Sequence, residues 1–487
     1  MILAIPYNIK YNCMEYNWRN FLMAIRGFYN YPLSWKPERE KLTRPLYLSL
    51  ARQLKEDIAS GRLAPGTRLP PQRELARFLG INFTTVTRAY KLCELKGLLQ
   101  AVTGSGTFVA SSAARSVTIS TERLQSALID LGFENPFQVS TEQIREITQD
   151  IAGRKSFPQL LGYGSPTGMV HQKAAGVNWL KDIGLETDPD HLLLVSGTQN
   201  GLALAMLALF DPGDRIGVDT YTYANFIELA RLHHLQLVPI GGDEEGMRAD
   251  LLERQHRLNA LKGVFLMPSC CNPTTRMVSE RRKQELAQVI RKEQLILLED
   301  DIHAFFTAGT VADYQGPLAR LVPEQSLYIS GTSKPLCAGL RVAYLVFPDR
   351  FREALHQALF NVNVKTSSLD GEIITELILT GTAKAMVKKK QELAAERNRL
   401  FFRYFPELEG QGHPLSFYRW LPISDSRSGA EVEQALQQQG IRVYHSDRFL
   451  CGKREMQAFL RVALSTEPDM GRLEKGLSIL RKFVKKI

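Results

Sequence analysis

Lys334 and Arg341 stand seven residues apart in a loop of small and polar side chains, between the apolar runs Leu327–Ile329 and Val342–Phe347. That pattern predicts strand, loop, strand, with one lysine held between buried elements. Desolvation lowers a lysine's pKa and makes its amine a usable Schiff-base nucleophile, while a fixed arginine beside it can hold an anion. A solvated lysine beside an ion-paired arginine is the plainer reading of any Ser-Lys pair. Two other groups bear on the choice. Ser196-Gly197-Thr198-Gln199-Asn200-Gly201 lies between the apolar run Leu192–Val195 and the helical stretch Leu202–Phe210. Such a turn offers backbone N–H groups and a helix dipole to a phosphate, although many strand–helix turns contain glycine. Arg461 sits among apolar residues in Ala458–Leu464. A buried guanidinium needs a partner, either an internal Asp or Glu or the carboxylate of a bound molecule.

These groups must be carried by a layered scaffold. From Ile129 to the C-terminus, strand-like and helix-like patterns alternate, which predicts an α/β fold. Leu295–Leu298 reads as a buried strand ending in Glu299-Asp300-Asp301, and Ile216–Val218 as another, running into Asp219-Thr220-Tyr221-Thr222-Tyr223.

The lysine segment resembles the pyridoxal-phosphate (PLP) lysine segment of fold-type I aminotransferases. The match is closest to the Ser-Lys-x-Leu-x-x-Gly-Leu-Arg-x-x-Tyr motif of the MocR branch of GntR-type bacterial regulators. The resemblance implies that Lys334 carries PLP as an aldimine and that Arg341 and Ser333 hold its phosphate, with Gly197, Thr198 and Gln199 as the phosphate loop. It gives Tyr223 the ring-stacking role, with Tyr221 the fallback, and Asn272 the hydrogen bond to the cofactor's 3-oxygen. It pairs Asp300 with the pyridine nitrogen, Asp301 being the runner-up, and has Arg461 grip an effector's carboxylate. Tyr163 matches a tyrosine that reaches the neighbouring subunit's phosphate, which implies a domain-swapped homodimer. Two departures stand out: Thr275 replaces the usual glycine after Asn-Pro-Thr, and Ile302 replaces a common tyrosine. His303 reads as a bystander, Cys270 and Cys271 as small core residues, and Lys388–Lys390 as part of a solvated helix face.

The N-terminal part carries a different signal. Leu46, Leu50, Leu54 and Ile58 repeat every four residues, a helix ending at Ser60-Gly61. Gln72–Leu79 reads as a second helix, with Leu75, Phe78 and Leu79 inward. Asn82 caps a third that runs from Phe83, itself placed in the core, to about Leu95. Leu98–Val102 and Thr107–Ala110 flank Thr103–Gly106 as a hairpin. Three helices and a two-stranded wing make a winged helix-turn-helix. Between Lys36 and Lys96 there are 13 basic and 6 acidic side chains, a surplus of 7 out of the chain's +10. Basic surplus on such a unit suits phosphate neutralisation, with a helix in the major groove reading sequence. Pro45–Val109 resembles the GntR DNA-binding domain. That implies DNA contacts from Arg68, Arg73, Asn82, Thr84, Thr85 and Arg88, with Ser105 and Gly106 of the wing near the minor groove. Pro71 stands where that family usually has a capping serine.

The 487 residues, 44% hydrophobic and 23% charged, predict soluble globular structure with at least two domains. The expected division is an extension (1–44), a winged helix (45–110), a linker (111–128) and an aminotransferase-like domain (129–487). Six cysteines show neither metal-ligand spacing nor a disulfide framework, so no metal site is expected and a cytoplasmic location is. No window is long and apolar enough for a membrane span. The reading that unites these parts is a PLP-linked transcription regulator of double-stranded DNA, in which a small amine or amino acid exchanges with the internal aldimine. The alternative is a working PLP aminotransferase with an accessory DNA-binding domain.

Overall fold

The computed structural model describes residues 34–60, 62–63, 66–102, 106–110, 118–119, 128–425, 427–452 and 457–485. The chain divides into two compact units, Met1–Ser116 and Val117–Ile487.

In the first unit the four-residue apolar repeat buries one face of α1 (Leu46–Ala59) against α2 (Gln72–Leu79) and α3 (Phe83–Leu95). Strands β1 (Leu99–Val102) and β2 (Gly106–Val109) pair antiparallel as the wing. Asn82 caps α3, its side chain accepting from the Thr84 N–H at 2.8 Å. Pro71 precedes α2 with no side-chain cap, and Tyr90 Oη donates to the Pro70 carbonyl at 2.9 Å, fixing the α2 approach. The packed core reaches upstream of Pro45: Trp35 and Leu42 are buried in it, and Trp35 Nε1 donates to Asp57 at 2.8 Å. Two expectations fail here. Phe78 is 51% exposed and Phe83 41% exposed, because Leu75, Ala76 and Leu79 already fill the inner face of α2, while Phe83 opens α3 on its solvent side. The linker lies mostly outside the described residues, as does Ser105 of the wing.

The second unit is built on a seven-stranded sheet. Its strands are β3 (Leu192–Val195), β4 (Arg215–Asp219), β5 (Gln236–Ile240), β6 (Gly263–Leu266), β7 (Ile296–Asp300), β8 (Ser326–Gly331) and β9 (Ala343–Val346), in the order β3-β9-β8-β7-β6-β4-β5. All neighbours pair parallel except around β9, which runs antiparallel to both β8 and β3. Buried on both faces, these strands read as short continuous apolar runs. A three-stranded antiparallel sheet, β10 (Tyr418–Ile423), β11 (Tyr444–His445) and β12 (Ala458–Ala463), ordered β10-β12-β11, carries Arg461. Helices α4 (Thr198–Leu209), α5 (Thr382–Tyr404) and α6 (Met470–Lys485) matter below. Among the described residues no helix is long and apolar enough to cross a membrane.

Candidate functional site

In parallel sheets the carboxyl ends of the strands face the crevice where ligands bind. Here those ends deliver Asp300 from β7, the Met267–Asn272 segment after β6 and the Tyr221–Tyr223 segment after β4. Lys334 follows β8. A cavity of about 120 Å3 lies among them, lined by Lys334, Tyr223, Asn272, Asp300, Thr198 and Arg461, with Glu134 and His303.

Lys334 Nζ donates to the Glu134 carbonyl at 2.5 Å and lies 3.0 Å from Glu134 Oε1. Burial lowers its pKa, opposed chiefly by the Glu134 charge. Glu134 in turn titrates near 2: burial pushes it up, but Lys334 and His303, the latter 3.4 Å away, together pull it down. Asp300 is fully buried, its Oδ1 has no hydrogen-bond partner among the described residues, and burial pushes its carboxyl up to about 8. Asp301 is engaged instead with the Ser269 N–H and hydroxyl. The orphan is therefore Asp300, not the runner-up.

The phosphate-loop candidates form a second cluster. Gly197, with φ 84, ends the turn into α4, where Thr198 and Gln199 present their N–H groups. A Cβ on Gly197 would press on the Arg341 guanidinium, and its φ of 84 is one that side chains rarely adopt, so glycine suits this approach. Arg341 Nη1 donates to Ser333 Oγ at 3.0 Å, and Thr198 Oγ1 has no partner among the described residues. Tyr163 stands apart, 81% exposed. Tyr221 is not part of the lining of the Lys334 cavity and packs edge-on to Trp420 at 5.3 Å.

An orphaned acid, an amine and an arginine-backed helix N-terminus fit the pyridine nitrogen, aldehyde and phosphate of PLP. Lys334 would hold the aldehyde carbon, Asp300 the ring nitrogen, and Arg341 with the α4 turn the phosphate.

One sequence expectation is narrowed and two change. Arg461 is fully buried, yet among the described residues it bonds to no internal carboxylate; it donates to Asn272 Oδ1 at 3.0 Å and to the Gly132 carbonyl at 2.6 Å. Of the two expected partners the internal acid drops out, and the Arg461 Nε has no hydrogen-bond partner among the described residues. His303 is no bystander, since it is buried on the cavity wall facing Glu134. Lys390 is buried rather than solvated, donating to the Lys334 and Leu336 carbonyls at 2.8 and 2.7 Å, with burial taking its pKa down to about 7. Thr275, where glycine is usual, takes φ 63, a left-handed conformation that strains a β-branched residue. Cys270 and Cys271 are buried free thiols. Glu134 was the residue that sequence reasoning missed; an acid inside Leu131-Gly132-Phe133-Glu134-Asn135-Pro136-Phe137 was its only signal.

On the first unit, Arg73, Asn82, Thr84 and Arg88 are exposed and Thr85 half-buried. Thr84, Thr85 and Arg88 line one groove with Arg44 and Tyr47, the Arg88 guanidinium lying 4.2 Å from the Tyr47 ring. Arg73 reaches over the exposed Phe83 ring, 5.8 Å from its centroid. Arg68 lies at the base of the wing, its backbone bridging Phe108 and its guanidinium against Gly106.

A lysine, an orphaned acid and an arginine-backed turn on a mostly parallel seven-stranded sheet, in a chain that also carries a winged helix, define an aminotransferase-like regulator. Residues 127–478 match the family Aminotransferase class I and II, and residues 46–109 match Bacterial regulatory proteins, gntR family. The chain belongs to these families in the MocR-type combination of GntR regulators, and it is a DNA-binding transcriptional regulator with a PLP aminotransferase-like domain. The uncharacterized HTH-type transcriptional regulator YdeF of Bacillus subtilis (strain 168) is 35% identical over 462 residues, covering 95% of this chain and 99% of that protein. The probable rhizopine catabolism regulatory protein MocR of Rhizobium meliloti is 25% identical over 385 residues, 73% of this chain and 76% of that one. The structure of Pyrococcus horikoshii kynurenine aminotransferase superposes with a TM-score of 0.68 at 20% identity, covering 74% of this chain and 92% of that one. The aminotransferase fold implies dependence on PLP.

Proposed function

We propose that this protein is a cytoplasmic, dimeric regulator whose DNA binding answers to a small amine or amino acid captured at Lys334. When bound, PLP supplies an electrophilic carbon to which either Lys334 or an incoming amine can attach. The chain's own groups do the rest. Arg461 orients the effector's acidic group, the Asn272 side-chain N–H donates to the ring's 3-oxygen, Asp300 holds a proton at the ring nitrogen, and Glu134 with its backbone carbonyl receives the Lys334 ammonium when it is free. The last pairing carries the proposal, because a receptor already lies 3.0 Å from Nζ. A released lysine is a change of local packing and charge, and an effector that binds two dimer arrangements unequally shifts their populations. The extreme exposure of Tyr163 supports its reaching into a neighbouring subunit's site.

A spectral titration tests this. Full-length protein supplied with PLP is expected to gain a visible band that shifts as amines are added. Lys334→Ala is expected to lose the band and the effector response while keeping operator binding. A full effector response in Lys334→Ala refutes the covalent reading, and sustained keto-acid formation over many turnovers would instead make the protein an aminotransferase.

A further inference from the structure

A second and larger cavity, about 580 Å3, opens at the carboxyl ends of β4, β5 and β6, on the other side of the Tyr221–Tyr223 segment from Lys334. Asp219, the last residue of β4, lines it, as do Gly241 and Gly242 beyond β5 and Met267 beyond β6. These strand ends are where parallel sheets place ligands. One wall is aromatic: Trp420 stacks on Phe459 at 4.9 Å and meets Tyr221 edge-on. The only side-chain hydrogen bond to Asp219 among the described residues comes from the Cys271 thiol, at 3.8 Å. An acid facing aromatic rings across a cavity of this size is complementary to a cation with an apolar body.

We propose that this cavity is a second small-molecule site, which takes an organic cation with Asp219 as counter-ion and the Tyr221–Trp420–Phe459 wall as its apolar platform. Burial pushes the Asp219 carboxyl up to about 7 when no cation faces it, with Arg276 pulling the other way; a bound cation relieves that cost. Arg276 and Arg419 share the cavity lining and disfavour a cation there, while Glu244 favours one; Arg419 is held by Asn398 and the Gln411 carbonyl, which leaves Arg276 to tune the affinity.

The partition between the two cavities is thin. Met267 lines both, Cys271 and Asn272 are adjacent on opposite sides, and Trp420 is paired in register with Arg461 between β10 and β12. An occupant of the larger cavity therefore bears on groups that orient the occupant of the smaller one. This second site does not depend on what binds at Lys334.

Benzyltrimethylammonium separates the two sites, because a quaternary ammonium cannot condense with an aldehyde. Calorimetric titration of the full-length, PLP-supplied protein is expected to show saturable binding. Asp219→Asn is expected to weaken it by at least about tenfold, as loss of a partly desolvated ion-pair partner does, and Arg276→Gln to tighten it. Benzyl alcohol, of similar body and no charge, is expected to show no saturation. If Asp219→Asn fails to fold, the opposite sign at Arg276 still tests the claim. No saturable binding of the quaternary probe, or equal binding in both variants, overturns it.

Discussion

Replacing Glu134 by Gln keeps the side chain's size and removes the charge 3.0 Å from Lys334 Nζ. Burial already depresses the Lys334 pKa, and Glu134 is the main influence opposing it. At that separation, with an effective dielectric of about 20, the pair is worth at most about 5 kcal/mol. The two side chains are only 15% and 7% exposed, so solvent screens little of this. Losing even a quarter of it would make the uncharged amine about tenfold more abundant wherever the ammonium predominates, since about 1.4 kcal/mol is a factor of ten. The sign follows from the charge types: without Glu134 the ammonium loses its partner, the Lys334 pKa falls further, and the nucleophile forms at lower pH. The assay strips PLP from the full-length protein, adds it back across a pH series, and follows the visible band by stopped flow. Glu134→Gln is expected to move the onset of attachment to lower pH and raise the rate on the acid side of that onset about tenfold. An onset that stays where it is, or moves up, in a variant that unfolds at the normal temperature refutes the pairing.

Asp300 makes a second pH prediction. Its carboxyl moves from 3.8 to about 8 on burial, so the folded state holds that proton more tightly, and PLP-free stability should fall as pH rises through this window. Asp300→Asn is expected to flatten that fall in thermal scans; an unchanged slope counts against an orphaned acid. Arg73→Ala should weaken binding about equally across DNA sequences and reduce the salt slope by about 1, and fluorescence titrations at several salt concentrations would reveal an unaltered slope if Arg73 touches no phosphate. Asn82→Ala removes the acceptor for the Thr84 N–H and should cost the winged helix about 1 kcal/mol, read by chemical denaturation; no loss would mean the cap is not holding α3.

Much of the scaffold was legible because local patterns agreed with tertiary placement. The four-residue repeat of α1 and the apolar runs ending at Asp300 and before Ser196 each marked an element whose neighbours demanded the same thing. Lys334, Arg341 and Gly197 stood out through the resemblance of their segments to a family motif, since a Ser-Lys pair and a glycine turn are by themselves commonplace. Glu134 was not, because its importance comes from a contact across 200 residues of sequence. Arg461 invited a carboxylate partner on charge grounds; inside the chain an amide oxygen and a backbone carbonyl take its two Nη groups while Nε stays without a partner among the described residues, and neither acceptor is distinguishable in sequence from any other. Phe78 and Phe83 were misread because hydrophobicity says nothing of an apolar side chain on a face already filled. Lys390 was misread in the opposite sense: a lysine run suggests solvent, whereas two loop carbonyls draw one member inside.

That inward lysine lies on α5, whose 23 residues span about 34 Å at 1.5 Å per residue. In its N-terminal half Lys390 grips the main chain of Lys334; further along, Arg397 Nη1 donates to the Leu464 carbonyl at 2.7 Å, just past the strand that bears Arg461. Leu400, Phe401 and Phe405 anchor its far end among the buried side chains behind that strand. The helix is thus a push-rod pinned to the lysine loop and to the small sheet, and a displaced lysine loop has a stiff mechanical route to the strand that bears Arg461.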